Sequence, residues 1–351
     1  MLSRVVNTMK KTHQFLSVIL TTWNRKNDLR ECLDSLLVQD YPRNRYEIIV
    51  VCDPSTDGSE DLLLNEYRMQ VKAIINPHKT TLPQTRNKGL RVAKGQLIIL
   101  CSDDLVYYDR QMFRKFAQSF NEHPDIGMIG GRWERIGNEV ICKYSALYEE
   151  LNYPVESNNS AEYYVGAEEL KRVNGAEVLA IPRRVFDHVG KYNEAFTWGG
   201  EDSDLRQRIL KAGYKLKYDL RLTAKHKMRG TIRAFARREF RLGEASAQWN
   251  QHHPELTSTK HKLGIALAIL FSATLVYGIL ASLLKGPYPN LSFAGTGLLI
   301  LGATGFFSID ALRYALFYPI APLRDRVLFL ELRLIQNFAT YTGLVKKTFL
   351  G

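Results

Sequence analysis

Residues 96–104 read QLIILCSDD, in which the apolar run Leu97–Cys101 passes through Ser102 into two adjacent aspartates. A short run of this kind, apolar at every position, is a strand covered on both faces. Immediately upstream, Leu82 to Ala93 carries a helical pattern, and the pair of elements then repeats along the chain. Phe15–Leu20 is a strand that ends in Thr21-Thr22-Trp23-Asn24, followed by a helix over Asp28–Val38 with Leu29, Cys32, Leu33, Leu36 and Leu37 on one face. Glu47–Cys52 (EIIVVC) is the next strand and runs into Asp53-Pro54-Ser55-Thr56-Asp57-Gly58. A helix from about Ser59 and a short strand at Val71–Ile75 complete the series. Strands alternating with helices predict a mostly parallel sheet flanked by helices, an α/β fold. In such sheets ligands bind at the carboxyl ends of the strands, where this chain places its polar clusters.

The last third has a different pattern. Lys262–Leu284 has no charge after Lys262, and Leu291–Ile309 is a second uncharged run beyond the turn Gly286–Asn290. Runs of this length are near what a ~30 Å hydrocarbon layer requires, so residues 262–309 predict a transmembrane helical hairpin. Cations crowd the outer flanks, which places the α/β region and the C-terminus in the cytoplasm of a multi-pass cell-membrane protein. Residues 310–351 read as an interfacial amphipathic segment, 1–14 as a tail and 15–250 as the α/β domain, whose polar clusters make it the candidate catalytic domain. The 351-residue chain has a net charge of +12. Between Arg221 and Arg241 eight cations face Glu239 alone, a run suited to anionic lipid headgroups or a lipid-linked diphosphate. Little aromatic surface interleaves that run and no nucleic-acid motif accompanies it, so no nucleic-acid partner is expected. The four cysteines, Cys32, Cys52, Cys101 and Cys142, form no zinc spacing and read as buried thiols. No GxGxxG follows the first strand, which argues against a dinucleotide-binding dehydrogenase.

Three clusters carry chemistry. Asp103-Asp104 offers hard oxygens that suit Mg²⁺ or Mn²⁺, against the plain reading of solvated turn residues. Asp53 follows a strand, with an Asx turn over Pro54–Gly58 as the simple alternative. Trp198-Gly199-Gly200-Glu201-Asp202-Ser203-Asp204 opens a helix, where acidic residues are favoured by the helix dipole alone. A tryptophan and two glycines ahead of that helix exceed what capping needs.

Together, in this order, the clusters resemble the family 2 glycosyltransferases, the large inverting group with a GT-A nucleotide-sugar-binding fold. The resemblance runs from about Phe15 to Trp249 and rests on SVILTTWNR (Ser17–Arg25), VVCDPSTDGS (Val50–Ser59), TRNKGLRVAKGQLIILCSDD (Thr85–Asp104) and NGAEVLAIPRRVFDHVGKYNEAFTWGGEDSDLRQRILKAGY (Asn174–Tyr214). It implies that Thr21 and Asp53 contact the base, Arg86 lies near the phosphates, Asp103 holds the ribose and Asp104 binds Mn²⁺ or Mg²⁺. Asp202 would be the general base and Glu201 its support. Asn174, Gly175 and Ala176 would line the sugar pocket, with Trp198, Gly199 and Gly200 on the acceptor side.

Departures from the family pattern bear on the site. Ser102 stands where an Asp-x-Asp motif has its first aspartate, which leaves Asp104 as the main protein ligand. His226 is either a further group near the diphosphate or metal, or a surface histidine of a basic loop. The Gln-x-x-Arg-Trp motif of processive synthases is absent, which favours transfer of a single sugar. The expected partners are a nucleotide-sugar donor, a glycan or lipid-linked glycan acceptor, and membrane lipids. Between Gly130 and Asn174 the aromatics Trp133, Tyr144, Tyr148, Tyr163 and Tyr164 suggest an acceptor-binding insert. A polyprenyl-phosphate sugar synthase and a non-catalytic basic binding module are the competing readings.

Overall fold

The computed structural model describes residues 14–137, 139–152, 162–165, 179–227, 231–256 and 323–349. It divides into two compact units. The first is Met1–Glu134, Ser157–Asn193 and Ser203–His226; the second is Arg135–Glu156, Glu194–Asp202 and Lys227–Gly351. The stretch 15–250, read from the sequence as one catalytic domain, thus contributes to both.

Strands β1 (Leu16–Thr22), β2 (Tyr46–Cys52), β3 (Lys72–Ile75) and β4 (Leu97–Ser102) are parallel, with β1 between β2 and β4 and β3 outside β2. The sheet continues through β5 (Leu105–Val106), β6 (Ile126–Ile136), β8 (Leu179–Pro182) and β9 (Lys215–Lys227) in the order β3-β2-β1-β4-β8-β6-β9-β5, and β7 (Glu162–Val165) pairs with β9. The added strands pair antiparallel, β8 with β4 and β6, and β9 with β5 and β7.

The predominantly apolar strands have their cause in the layers on both sides. Val18, Leu20, Ile48, Val50, Ile99 and Cys101 face one layer, which takes Leu29, Cys32, Leu33 and Leu36 from α1 (Lys26–Leu37) and Phe113 and Phe116 from α4 (Met112–Glu122). Ile19, Ile49, Val51, Ile98 and Leu100 face the other. That layer takes Leu90 from α3 (Leu82–Val92), Val185 and Phe186 from α6 (Arg183–Val189), and Leu205 and Ile209 from α7 (Glu201–Lys211). With both faces covered, a polar residue inside these strands would lose its hydration without a partner. Cys32, Cys52 and Cys101 are buried free thiols, and burial pushes the Cys52 thiol up to about 11 and that of Cys101 up to about 12. They fill space, as the spacing suggested. A short helix at Ser59–Asp61 (α2) follows β2.

The second unit is helical. α5 (Glu139–Asn152), α8 (Ile232–His252) and α9 (Leu323–Phe349) meet around Ile141, Tyr144, Phe235, Phe329 and Leu332. Tyr144, read from the sequence as part of an acceptor insert, is buried here with its hydroxyl on Gln336 Oε1. Gln336 Nε2 in turn donates to the buried Glu239 carboxylate at 2.9 Å. α9 falls in the segment read as an interfacial amphipathic helix, and one face of it packs on α8 inside the unit. The hairpin predicted at 262–309 lies outside the described residues, as does nearly all of the 1–14 tail. Among the described residues no helix is long and apolar enough to cross a membrane.

Candidate active site

At the carboxyl end of the parallel strands the β1 and β2 loops are tied to each other. Asn24 takes a left-handed conformation (φ 51°), which asparagine tolerates. Its Oδ1 accepts from Thr56 N at 2.7 Å and its own N–H donates to Ser55 Oγ at 3.1 Å. The turn after β2 is ordered by Asp57, which accepts from Lys26 N and from Ser59 N and Oγ. Asp53 is therefore not the residue that makes the turn. Its carboxylate, 6% exposed, accepts from Asn76 Nδ2 at 2.6 Å, Thr80 Oγ1 at 3.1 Å and Thr80 N at 3.3 Å. Lys88 Nζ donates to Asn76 Oδ1 at 2.6 Å and holds that amide in place. Thr21 sits at the end of β1 in register with Val51 and Ser102. Arg86 lies over the Tyr192 ring, 5.0 Å from its centroid. Beside it Asn87 bonds both the N–H and the carbonyl of Tyr192.

One strand over, the end of β4 gathers a charge cluster. Asp103 and Asp104 meet Arg25 and His226. Arg25 Nη1 is 3.1 Å from Asp104 Oδ2 and 3.1 Å from Asp28 Oδ2, and Nε is 3.9 Å from Asp103 Oδ1. His226 Nε2 is 3.3 Å from the same Asp104 Oδ2. His226 is a strand residue, in register with Leu105 of β5 and edge-on to the Trp133 ring, with a side chain 12% exposed. The surface-loop alternative for His226 is thereby excluded. Burial would raise the Asp104 carboxyl, but the His226 hydrogen bond and the His226 and Arg25 charges outweigh it and hold the group below the usual carboxylate range. Asp103 goes the other way. Burial, with the Asp104 charge adding to it, pushes Asp103 up to about 7 against the pull of Arg25.

A raised carboxyl pKa means that the folded state holds its proton more tightly than the unfolded chain does. Stability then falls as pH rises from about 4 to about 7 and is level outside that window. The nucleotide-free protein is therefore expected to melt progressively lower from pH 5 to pH 7.5. Asp103→Asn, neutral throughout, is expected to flatten that slope. Thermal melts of both proteins across this range check it, and equal slopes would refute the assignment.

In the second unit, the loop ahead of α7 is held from beneath by α8. Gln248 Oε1 accepts from Thr197 N at 3.2 Å and Thr197 Oγ1 at 3.0 Å. Gly199 and Gly200 both have positive φ, 77° and 89°. A Cβ on Gly199 would stand 2.9 Å from Ala245 Cβ, and one on Gly200 would stand 3.0 Å from the Phe196 ring. Phe196 is itself buried against His252. These contacts explain why the sequence needs two glycines before Glu201 and Asp202 start the helix. In the same helix Asp204 is a structural acid, since it pairs with Arg208 at 2.8 Å. Arg208 also ties down the Val189 and Lys191 carbonyls.

The structure thus brings Asp103, Asp104 and His226 together and sets Asp53 two strands away across β1. Trp198, Gly199, Gly200, Glu201 and Asp202 belong to the second unit. Asn174, Gly175 and Ala176 lie outside the described residues. Arg25, Asn76, Thr80 and Gln248 had no role in the sequence reading. Arg25 stands inside a quoted motif, but Asn76, Thr80 and Gln248 reach their partners across 23 to 51 residues, and no local pattern announces that.

Comparison with known proteins bears on the class of enzyme and on the fold. The family model described as glycosyl transferase family 2 matches residues 17–172. The chain is a glycosyltransferase. A second model, described as the N-terminal domain of galactosyltransferase, matches residues 160–233 of this glycosyltransferase. A poly(ribitol-phosphate) beta-glucosyltransferase from Bacillus spizizenii is 29% identical over 40% of the chain, and the match spans 22% of that protein's length. The dolichyl N-acetyl-alpha-D-glucosaminyl phosphate 3-beta-D-2,3-diacetamido-2,3-dideoxy-beta-D-glucuronosyltransferase of Methanococcus voltae is 22% identical over 66% of the chain and 72% of its own. Among solved structures, a mannosyltransferase from Pyrobaculum calidifontis in complex with GDP-Man and Mn²⁺ superposes with a TM-score of 0.56. It is 16% identical, covers 93% of the glycosyltransferase and 88% of itself, and bears on the fold alone.

The donor set at β4 fits a divalent cation of the Mn²⁺ or Mg²⁺ class. A carboxylate oxygen and an imidazole nitrogen stand 3.3 Å apart beside a second carboxylate. Among the described residues no group of three or more His, Cys, Asp or Glu could hold an ion unaided. Such an ion would take its remaining ligands from substrate phosphate, as Mg²⁺ commonly does.

Proposed function

We propose that this glycosyltransferase moves one sugar, with inversion, from a nucleotide-diphosphate sugar to a glycan or lipid-linked glycan acceptor at the cytoplasmic face of a membrane. The observation that carries the reading is the convergence of Asp103, Asp104 and His226 at the end of β4, one strand from the β1 terminus and two from Asp53. In this reading Asp53 and Thr21 meet the base, Asp103 the ribose and Arg86 the phosphates. Asp104 and His226 hold a divalent cation, which when bound neutralises charge on the departing diphosphate. Asp202, supported by Glu201, takes the proton of the acceptor hydroxyl as that oxygen bonds the anomeric carbon and the bond to the diphosphate breaks. Trp198, Gly199 and Gly200 border the acceptor, and Asn174-Gly175-Ala176 line the sugar.

Two features support a membrane setting: the uncharged runs within 262–309 and the cations of α8. Arg233, Arg237 and Arg241 are exposed at four-residue steps along that helix, one basic face suited to anionic headgroups. The Methanococcus voltae relative, a transferase named for a dolichyl N-acetyl-alpha-D-glucosaminyl phosphate, supports a lipid-linked acceptor.

The test is a panel of UDP-, GDP- and dTDP-sugars in detergent, with Mn²⁺ or EDTA, offered lipid-linked glycan and polyprenyl monophosphate as acceptors. One donor, a UDP-sugar first, is expected to turn over with Mn²⁺. EDTA is expected to abolish the reaction, and Asp104→Asn to lower it by roughly 100-fold or more. Transfer to the monophosphate alone would replace this reading with that of a polyprenyl-phosphate sugar synthase. Turnover indifferent to EDTA and to Asp104→Asn would remove the cation from the mechanism.

A further inference from the structure

Asp104 Oδ2, the oxygen assigned above to the cation, is already engaged. Arg25 Nη1 stands 3.1 Å from it and His226 Nε2 3.3 Å. An imidazole can remain beside a metal as a ligand, whereas a guanidinium, always charged and with no lone pair to offer, cannot. Asp28, one turn along α1, braces the guanidinium at 3.1 Å, and the side chain is only 15% exposed. Arg25 therefore occupies the place where a cation's charge would fall. Removing it leaves Asp103, Asp104 and Asp28 facing one another in a poorly hydrated pocket, a costly arrangement that an ion would relieve.

We propose that Arg25 is a resident counter-ion that keeps the Asp104 position closed to divalent cations until a nucleoside diphosphate arrives. The diphosphate brings more than one negative charge and a geometry that a guanidinium fork matches. It draws Arg25 off Asp104 and supplies the missing oxygen ligands, so that metal and nucleotide bind as a pair. The proposal rests on the donor-and-cation reading of the site given above and adds to it an order of assembly. By linkage, the factor by which nucleotide tightens metal binding equals the factor by which metal tightens nucleotide binding.

The experiment titrates Mn²⁺ into the full chain in detergent and follows free Mn²⁺ by its paramagnetic resonance signal, alone and with saturating UDP or GDP. Wild type is expected to bind Mn²⁺ weakly by itself and at least ~10-fold more tightly with one of the two nucleotides, a typical coupling of about 1.4 kcal/mol. Arg25→Gln is expected to raise nucleotide-free Mn²⁺ affinity by about 10-fold and to shrink the coupling by the same factor. Arg25→Lys keeps the charge but loses the planar guanidinium whose Nη1 bridges Asp28 and Asp104 while Nε faces Asp103, and it carries the test should the glutamine variant fail to fold. It is expected to raise nucleotide-free affinity by a few-fold. If Mn²⁺ affinity without nucleotide is unchanged or lower in these variants while wild type shows coupling, the counter-ion role is overturned and the donor site stands. If wild type binds no Mn²⁺ with either nucleotide, the metal reading of the site falls with it.

Discussion

Asp202→Asn is expected to cut the transfer rate by roughly 10²–10⁴-fold while leaving nucleotide affinity unchanged. The size follows from the role. A general base acts only as the acceptor proton leaves, so its loss falls on kcat, about 3–5 kcal/mol of barrier, and not on donor binding. Asparagine has the shape of aspartate and can still sit in the first turn of α7, which begins at Glu201. The loop that presents it should survive, because Gln248 caps Thr197 and Gly199 rests against Ala245 whatever residue stands at 202. Steady-state kinetics with nucleotide binding by calorimetry separates the outcomes. A parallel loss of nucleotide affinity would move Asp202 to a binding role, and an undiminished rate would remove it from the mechanism.

The second large effect is on stability. Gly243→Ala is expected to destabilise the helical unit by about 3 kcal/mol or more, toward the upper end of overpacking costs. A Cβ at 243 would stand 1.8 Å from the Thr340 carbonyl oxygen and 2.8 Å from Leu344 N. Gly343 shows the same arrangement from the other side, with its Cβ position 1.9 Å from the Phe240 carbonyl oxygen. Both obstacles are backbone, so no side chain can turn away and α8 and α9 must part. Separation would loosen the bond from Gln336 to the buried Glu239 and expose the contacts of Phe235 with Tyr144. Ser246→Ala, on the same helix, removes only a hydroxyl bonded to the Leu242 carbonyl and serves as the control, with an expected change under ~0.5 kcal/mol. Chemical denaturation followed by circular dichroism measures both. Equal midpoints for Gly243→Ala and wild type would show that the two helices are free to separate without cost.

Where the reading of the chain succeeded, the cause is local. A strand buried on both faces is apolar along most of its length, so Phe15–Leu20, Glu47–Cys52 and Leu97–Cys101 announced themselves and predicted a parallel sheet. The buried Ser17 of the first is tolerated because its hydroxyl donates to Glu47 and accepts from the Lys94 and Gly95 N–H groups. The polar residues just beyond them follow from the same constraint, since that is where the chain first meets solvent. Asp53, Asp103 and Asp104 were therefore legible as candidates. The expectation that Trp133 and Tyr144 belong to one acceptor surface had no such local basis. Trp133 stands beside His226, whereas Tyr144 is packed in the helical core on Gln336, and composition cannot tell a binding aromatic from a core one.

Composition and period thus settled the class of fold, the strands of its parallel half and the aspartates at their ends, because burial acts on each residue where it stands. Pairings over distance came only with the folded chain. The charge of Asp103 against Asp104 depends on Arg25 and His226, the second of which arrives on a strand 122 residues later than Asp104 in the sequence. The hold of Asn76 and Thr80 on Asp53, and of Gln248 on Thr197, is likewise set by which elements the sheet and helices bring side by side. A hydrogen bond or ion pair needs two partners within about 3 Å, and residue order alone does not contain that distance.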